Sequence, residues 1–290
     1  MVLFINGYGR SGSTVLEGFL GKYDGVFCVG ELRNIWERYL AGYKCSCGEK
    51  IESCRFWSDI FIDVFGDNYV KEINEMVRKR EDFDRIRKFN AAKNRPFEGA
   101  LASYVDVYSR IYKSIKAKTG CEVIVDSSKN PTHAALMERS SEIPCKHIHL
   151  VRHPQAVVYS WGRKKLRKES SVKEYMPRHK SYKSSMLWVL MNKQSAKLRE
   201  DCVRVKYEDF VENPTKVSEG ILRFCGLNKD FYSKEEEVFH TVGGNPVKFE
   251  TSDVIIRNDD EWLSAQKTID KYITWVIAGR VAREIGYEMC

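Results

Sequence analysis

A chain of 290 residues with 43% hydrophobic and 30% charged residues can bury a sizeable core and is unlike a disordered chain. No apolar run approaches the ~20 residues of a membrane span, and the N-terminus enters a strand-like run rather than a leader, so a cytoplasmic, unanchored protein is expected. The net charge of +8 suits an anionic ligand, a nucleic acid or an acidic membrane surface, and does not choose among them.

Taken in order, Val2 to Ile5 is an apolar run of the length of one buried strand. Gly7, Gly9 and Gly12 then allow a tight turn in which backbone closely approaches a ligand. Ser13 and Thr14 lead into Val15, Leu16, Phe19 and Leu20, which share one helix face. Strand, glycine turn and helix start make an anion cradle, because free helix N–H groups and the helix dipole both favour negative charge. Residues 7–14 match the length of the triphosphate loop GxxxxGK followed by Ser or Thr, but Ser13 stands where the lysine belongs. Arg10 supplies a cation from inside the loop instead.

A second apolar run, Val26 to Val29, ends at Gly30-Glu31-Leu32-Arg33, which puts Glu31 just past the C-terminal end of a strand. Residues 34–120 read as mainly helical: Asn68 to Lys88 carries Val70, Ile73, Met76, Val77 and Phe83. Phe97 to Lys118 carries Leu101, Tyr104, Val105, Tyr108, Ile111, Tyr112 and Ile115 at helical spacing. Cys45, Cys47 and Cys54 are the one cluster among nine cysteines. Zinc needs a fourth ligand and none sits at finger spacing, so a structural turn with free thiols is preferred over a metal site or a disulfide.

Glu122 to Asp126 is a third strand, followed at once by Ser127-Ser128-Lys129-Asn130-Pro131. Lys146 to Val151 is a fourth, opening into Arg152-His153-Pro154, with Pro154 suited to the first turn of a helix through Trp161. The basic segment 163–183 reads as loop or lid, either a guide for an anionic acceptor or a solvated face. Cys202 to Tyr207 is a fifth strand, a helix follows Asn213-Pro214, and Ile273 to Ile285 is a final amphipathic helix. Strands alternating with helices predict an α/β fold with a mostly parallel sheet flanked by helices. Ligands bind such sheets beyond the carboxyl ends of the strands, where Asn6 to Thr14, Glu31, Ser127 to Lys129, Arg152 and Tyr207 fall.

At these residues the chain resembles the sulfotransferases that use 3′-phosphoadenosine 5′-phosphosulfate, PAPS. The segment Gly9, Arg10, Ser11, Gly12, Ser13, Thr14 looks like the family's loop for the 5′-phosphosulfate. Arg152-His153-Pro154 through Ser160-Trp161 looks like its second motif, with Arg152 and Ser160 as ligands of the 3′-phosphate. Tyr207-Glu208-Asp209-Phe210 is similar to a segment whose tyrosine lies near the adenine, and Lys248 and Arg257 are candidates to close over the nucleotide. The resemblance implies a P-loop NTPase-like sulfotransferase fold with a helical insertion, one domain over residues 1–290, and residues 34–120 on the acceptor side.

The local likeness is to the branch of tyrosylprotein and bacterial sulfotransferases. It implies Glu31 as general base and Lys129, in Lys129-Asn130-Pro131, as the lysine that assists transfer, with Arg10 as the third catalytic group. His149 and His153 are available as a base of the small-molecule branch, and Glu31 is preferred. The acceptor is a hydroxyl of a small molecule, carbohydrate, lipid or peptide, and no metal is expected. Each residue alone has a plainer reading: Glu31 as a helix cap or a partner of Arg33, Lys129 as a solvated loop lysine, Arg152 as a structural ion pair. Two other classes compete. An ATP-dependent P-loop kinase would need the loop lysine and an acid for magnesium, for which Asp126 is the candidate. A basic nucleic-acid-binding protein would need a contiguous basic stripe, for which 163–183 is the candidate.

Overall fold

The apolar runs read from the sequence pair into one sheet. The computed structural model describes residues 1–167, 169–170, 172–198, 202–227, 240–243 and 259–290. Its strands are β1 (Val2–Asn6), β2 (Val26–Gly30), β3 (Val123–Asp126), β4 (Cys145–Val151) and, after a short hairpin of β5 (Leu166–Arg167) and β6 (Glu174–Tyr175), β7 (Cys202–Lys206). The five longer strands are all parallel, in the order β2-β3-β1-β4-β7, and the hairpin is antiparallel and separate. β1, β2 and β3 are buried at every position, which is why they read as continuous apolar runs rather than alternating ones. Tyr207 does not extend β7 as expected; it is the first residue of a helix.

The helices are α1 (Ser13–Leu20), α2 (Ile35–Leu40), α3 (Arg55–Phe65), α4 (Tyr69–Phe83), α5 (Phe89–Asn94), α6 (Gly99–Thr119), α7 (Pro131–Met137), α8 (Pro154–Gly162), α9 (Ser181–Ser195), α10 (Tyr207–Glu212), α11 (Pro214–Phe224), α12 (Glu261–Ala265) and α13 (Thr268–Ile285). Leu16 and Leu20 of α1 and Ile221 and Leu222 of α11 pack with Leu3, Ile5 and Val125 on one side of the sheet. The helical insertion, α2 to α6, covers the other side through Trp36, Trp57, Phe61, Tyr104 and Tyr108, which join Phe4 and Ile124. A third cluster forms where Trp188 of α9 meets Ala278 and Val281 of α13. No described helix is long and apolar enough to cross a membrane.

The helix expected over Asn68 to Lys88 stops at Phe83, and the reason is tertiary. Asp84 is fully buried, and its Oδ1 lies 3.0 Å from Arg33 Nε while Oδ2 lies 2.7 Å from His133 Nδ1. Tyr104 also donates its hydroxyl to Oδ2 at 2.9 Å. Burial by itself would raise the Asp84 pKa; Arg33 and His133 outweigh it and hold the carboxyl below its ordinary value. Arg33 therefore ties the insertion to the sheet and is not the partner of Glu31. Asn130 takes the cap position of α7, accepting from the N–H groups of Thr132 at 2.9 Å and His133 at 3.1 Å, with Pro131 at the first turn. The cap fixes the residue just before it, Lys129.

Candidate active site

The glycine loop joins β1 to α1 under tight steric demands. Gly7 has φ 130°, and a Cβ there would lie 2.2 Å from Leu150 O. Gly12 has φ 89°, and a Cβ would meet the Tyr207 ring at 2.2 Å. Only glycine meets both conditions at either place. The bonds of α1 begin with Val15 and Leu16 N–H, both donating to Gly12 O at 3.0 Å, so the amides upstream lie outside the helix ladder, as at an anion-holding helix start. Ser11 Oγ closes the loop by donating to Tyr8 O at 2.7 Å, and the Trp161 indole donates to Gly9 O at 3.0 Å. Ser13 is buried beside this turn.

Among the described residues only two that are not glycine have positive φ: Arg10 at 72° and Lys129 at 57°. Such backbone costs free energy and persists where the surroundings impose it, commonly at functional sites. Arg10 lies over the Trp161 ring at 5.2 Å and its Nη2 meets Met176 Sδ at 3.1 Å. Burial lowers its pKa, partly offset by Glu31 and Glu169. Lys129 N–H donates to Ile5 O at 3.2 Å, and its Nζ donates to Glu31 Oε1 at 2.7 Å and to Ser127 O at 3.0 Å.

Glu31 is where the cations converge. Its Oε2 accepts from Arg38 Nη2 at 2.9 Å and from Asn34 Nδ2 at 3.1 Å, and its side chain keeps 15% exposure. Burial would raise its pKa; Lys129 and Arg38 override it and hold the carboxyl well below the usual carboxylate range. Arg38 is itself shared, donating to the fully buried Glu169 at 2.9 Å, and Glu169 also pairs with Arg167 at 3.2 Å. The segment 163–183 thus folds back on the site through its hairpin. Its Arg163 and Arg167 pair with Glu261 and Glu174, so they do not form an open basic stripe.

Sequence reasoning missed Glu17. From the buried face of α1 it accepts from Gly30 N–H at 2.6 Å through Oε1 and from the Ser127 hydroxyl at 2.7 Å through Oε2. It therefore joins the loop helix to the ends of β2 and β3, immediately before Glu31 and Lys129. A charged residue beside Leu16 in an otherwise apolar helix face was the available signal. Glu17→Ala strands two buried donors, each costing about 1–3 kcal/mol. The expected result in thermal unfolding is a lower Tm, and a Tm within experimental error of the parent would contradict this role.

A second buried cation lies beyond β4. Arg152, buried, donates to Arg10 O at 3.3 Å and to Asp259 Oδ2 at 3.1 Å, and lies 4.6 Å over the Tyr207 ring. Ser160 is buried on α8, the helix opened by Pro154. Arg152 thus holds the Asp259 carboxylate as an ion pair. Lys248 and Arg257 lie outside the described residues. The two histidines are committed elsewhere. His149 is buried with Nε2 at 2.8 Å from Asn192 Oδ1, and burial pushes its pKa down to about 4. His153 meets Glu288 O at 2.8 Å and stacks on Trp262 at 4.7 Å. Asp126 is also occupied: Oδ2 accepts from Tyr112 at 2.7 Å, Oδ1 accepts from Ser128 N–H at 2.7 Å, and burial raises its pKa.

A parallel sheet carrying a lysine-free glycine loop, with cations gathered at its strand ends, is a P-loop-like arrangement. The chain belongs to the sulfotransferase family, whose model matches residues 3–231. In fold it is similar to the sulfotransferase domain from the Synechococcus PCC 7002 olefin synthase, at 18% identity and a TM-score of 0.55 over 100% of this chain and 95% of that one. It is also similar to the sulfotransferase domain from the curacin biosynthetic pathway, at 18% identity and a TM-score of 0.51 over 99% and 98% of the two chains. No curated protein sequence matches the chain.

Proposed function

We propose that the chain moves a sulfuryl group from PAPS to an acceptor hydroxyl, with Glu31 as general base. The observation that carries this reading is a carboxylate held between Lys129 and Arg38 beside a glycine loop whose own cation is Arg10. PAPS, when bound, supplies an activated sulfuryl group: an S–O bond to the acceptor forms as the bridging S–O bond breaks, leaving 3′-phosphoadenosine 5′-phosphate. Residues Gly9 to Thr14 fit its 5′ end; Arg152, Ser160 and Tyr207 fit the 3′-phosphate and base. The Asp259 carboxylate on Arg152 is then a stand-in for that phosphate, which brings more charge and more acceptor oxygens.

Clamped by two cations, Glu31 is a weak base. Lys129 gains a second anion to pair with when the donor site fills, which loosens one side of the clamp and raises the basicity of Oε1. Glu31 then takes the acceptor proton. Sulfuryl transfer, like phosphoryl transfer, is in-line with a loose transition state, so positioning and charge do most of the work. Lys129, Arg10 and the loop amides stand on the charge that grows on the bridging oxygen. A cavity of about 250 Å³ lined by Asn34, Arg38, Tyr43 and Arg80 opens beside Glu31's partner Arg38 and gives the acceptor an approach from the helical insertion. In this reading residues 1–290 act as one catalytic domain in the cytoplasm.

The test is thermal stabilisation by 3′-phosphoadenosine 5′-phosphate. A saturating dose at a hundred times Kd stabilises by about 2.7 kcal/mol, a rise of several degrees in Tm. Arg152→Ala is expected to weaken nucleotide affinity about 10- to 100-fold, the worth of its charged hydrogen bonds. Stabilisation by magnesium ATP without any by the bisphosphate would favour a kinase and sink the proposal. An undiminished response in Arg152→Ala would remove Arg152 from the nucleotide site.

A further inference from the structure

The loop between α2 and α3 brings the clustered cysteines to a fourth group that lies far away in sequence. His240 Nδ1 is 3.3 Å from Cys54 Sγ and 3.8 Å from Cys45 Sγ, and Cys47 Sγ is 3.7 Å from Cys54 Sγ. All four donor atoms lie within 4.8 Å of one another. Tetrahedral zinc, with Zn–S about 2.3 Å and Zn–N about 2.0–2.1 Å, requires ligand separations of about 3.8 Å between sulfurs and about 3.5 Å between sulfur and nitrogen. The three observed distances lie within about 0.3 Å of the edges of that tetrahedron, and the rest need closing by no more than about 1.3 Å. The three cysteines are free thiols, two of them buried, and such groups are too weak as donors and acceptors to account for their own convergence by hydrogen bonding.

The ligand frame is held independently of any ion. Gly48, at φ 95°, donates its N–H to Cys45 O at 3.0 Å, which turns the chain between Cys45 and Cys47. Ser46 N–H donates to Thr241 O at 3.2 Å and Thr241 N–H returns a bond to Ser46 Oγ at 2.8 Å. The His240 ring is stacked on Phe56 with centroids 4.6 Å apart.

We propose that Cys45, Cys47, Cys54 and His240 bind a structural zinc ion. Three thiolates and Nδ1 fill the tetrahedron and leave no open position for catalysis; binding releases the thiol protons to solvent. The ion would join the cysteine loop to the segment that borders the candidate active site. Val242, two residues after His240, donates to Val29 O at 2.8 Å and accepts from Glu31 N–H at 2.6 Å. The site stands on its own geometry, whatever group the enzyme transfers.

The experiment is metal analysis of the purified 290-residue chain, followed by exchange into cobalt(II) under reducing conditions. About one zinc per chain is expected, with the thiolate-to-cobalt charge-transfer and ligand-field bands of a tetrahedral thiolate site. Cys54→Ser and Cys47→Ser should each lower retained zinc to below about a tenth per chain. His240→Cys, which exchanges the nitrogen ligand for a fourth thiolate, should keep the ion and raise the charge-transfer intensity by about a third. Reduced protein that takes up neither zinc nor cobalt overturns the proposal, as do zinc content unchanged in Cys54→Ser and a Cys47–Cys54 disulfide in the native protein. If the serine variants do not fold, the parent's cobalt spectrum and the His240→Cys comparison decide alone.

Discussion

Glu31→Gln is expected to lower turnover about 10²- to 10⁴-fold, the usual worth of a general base, while nucleotide binding stays close to the parent's. Glutamine keeps the size and one acceptor oxygen but not the charge that draws the proton. Arg38 retains Glu169 as a partner, so the loss is chemical before it is structural. The comparison to make is kcat against nucleotide Kd for the two proteins. Near-parental kcat with intact binding would assign the base elsewhere. The pH profile adds a second test. Because the folded Glu31 pKa is depressed, Glu31 is ionised throughout the neutral range and is lost as a base only as pH falls through that depressed value. The free enzyme's kcat/KM should therefore show no acid limb from Glu31 near pH 6. A limb there would point to a histidine.

Asp84→Ala should cost about 3–5 kcal/mol, since it leaves the buried Arg33 guanidinium without its carboxylate and strips His133 and Tyr104 of their shared acceptor. In urea the midpoint moves down with little change in slope. Its pH dependence has a definite sign. The folded Asp84 pKa lies below the unfolded value of about 3.9, so its contribution is complete above that value and is lost as pH falls towards the folded pKa. The difference in stability between parent and variant should be flat from about pH 5 upwards and shrink below about pH 4. A difference that grew on acidification would mean that Asp84 is not held as a carboxylate.

These two carboxylates illustrate what was legible in advance. Glu31 could be singled out as a candidate because its place just past a strand end follows from local order: strand, glycine, acid. Asp84 sits in an unremarkable run of charges, and nothing around it announces that Arg33, His133 and Tyr104 will close on it. The same holds for Tyr207. It was expected at the end of a strand, yet it opens α10 and presses its ring against Gly12, a contact between residues 195 positions apart that no local pattern encodes.

By itself the sequence determined the parallel α/β fold, the glycine turn between strand and helix, and the strand ends at which Arg10, Glu31, Lys129 and Arg152 appear. Apolar periodicity, glycine and proline act over a few residues, and the chemistry of a strand-loop-helix is local. Only the tertiary structure decided who faces whom. Glu31 is clamped by Lys129 and Arg38, Glu17 bridges two strand ends, and the histidines and Asp126 are spent on packing partners. It also completed the cysteine cluster, with His240 lying 186 residues beyond Cys54. Such pairings depend on how the sheet and its insertion pack, and packing is set by the buried surface of the whole chain rather than by spacing along it.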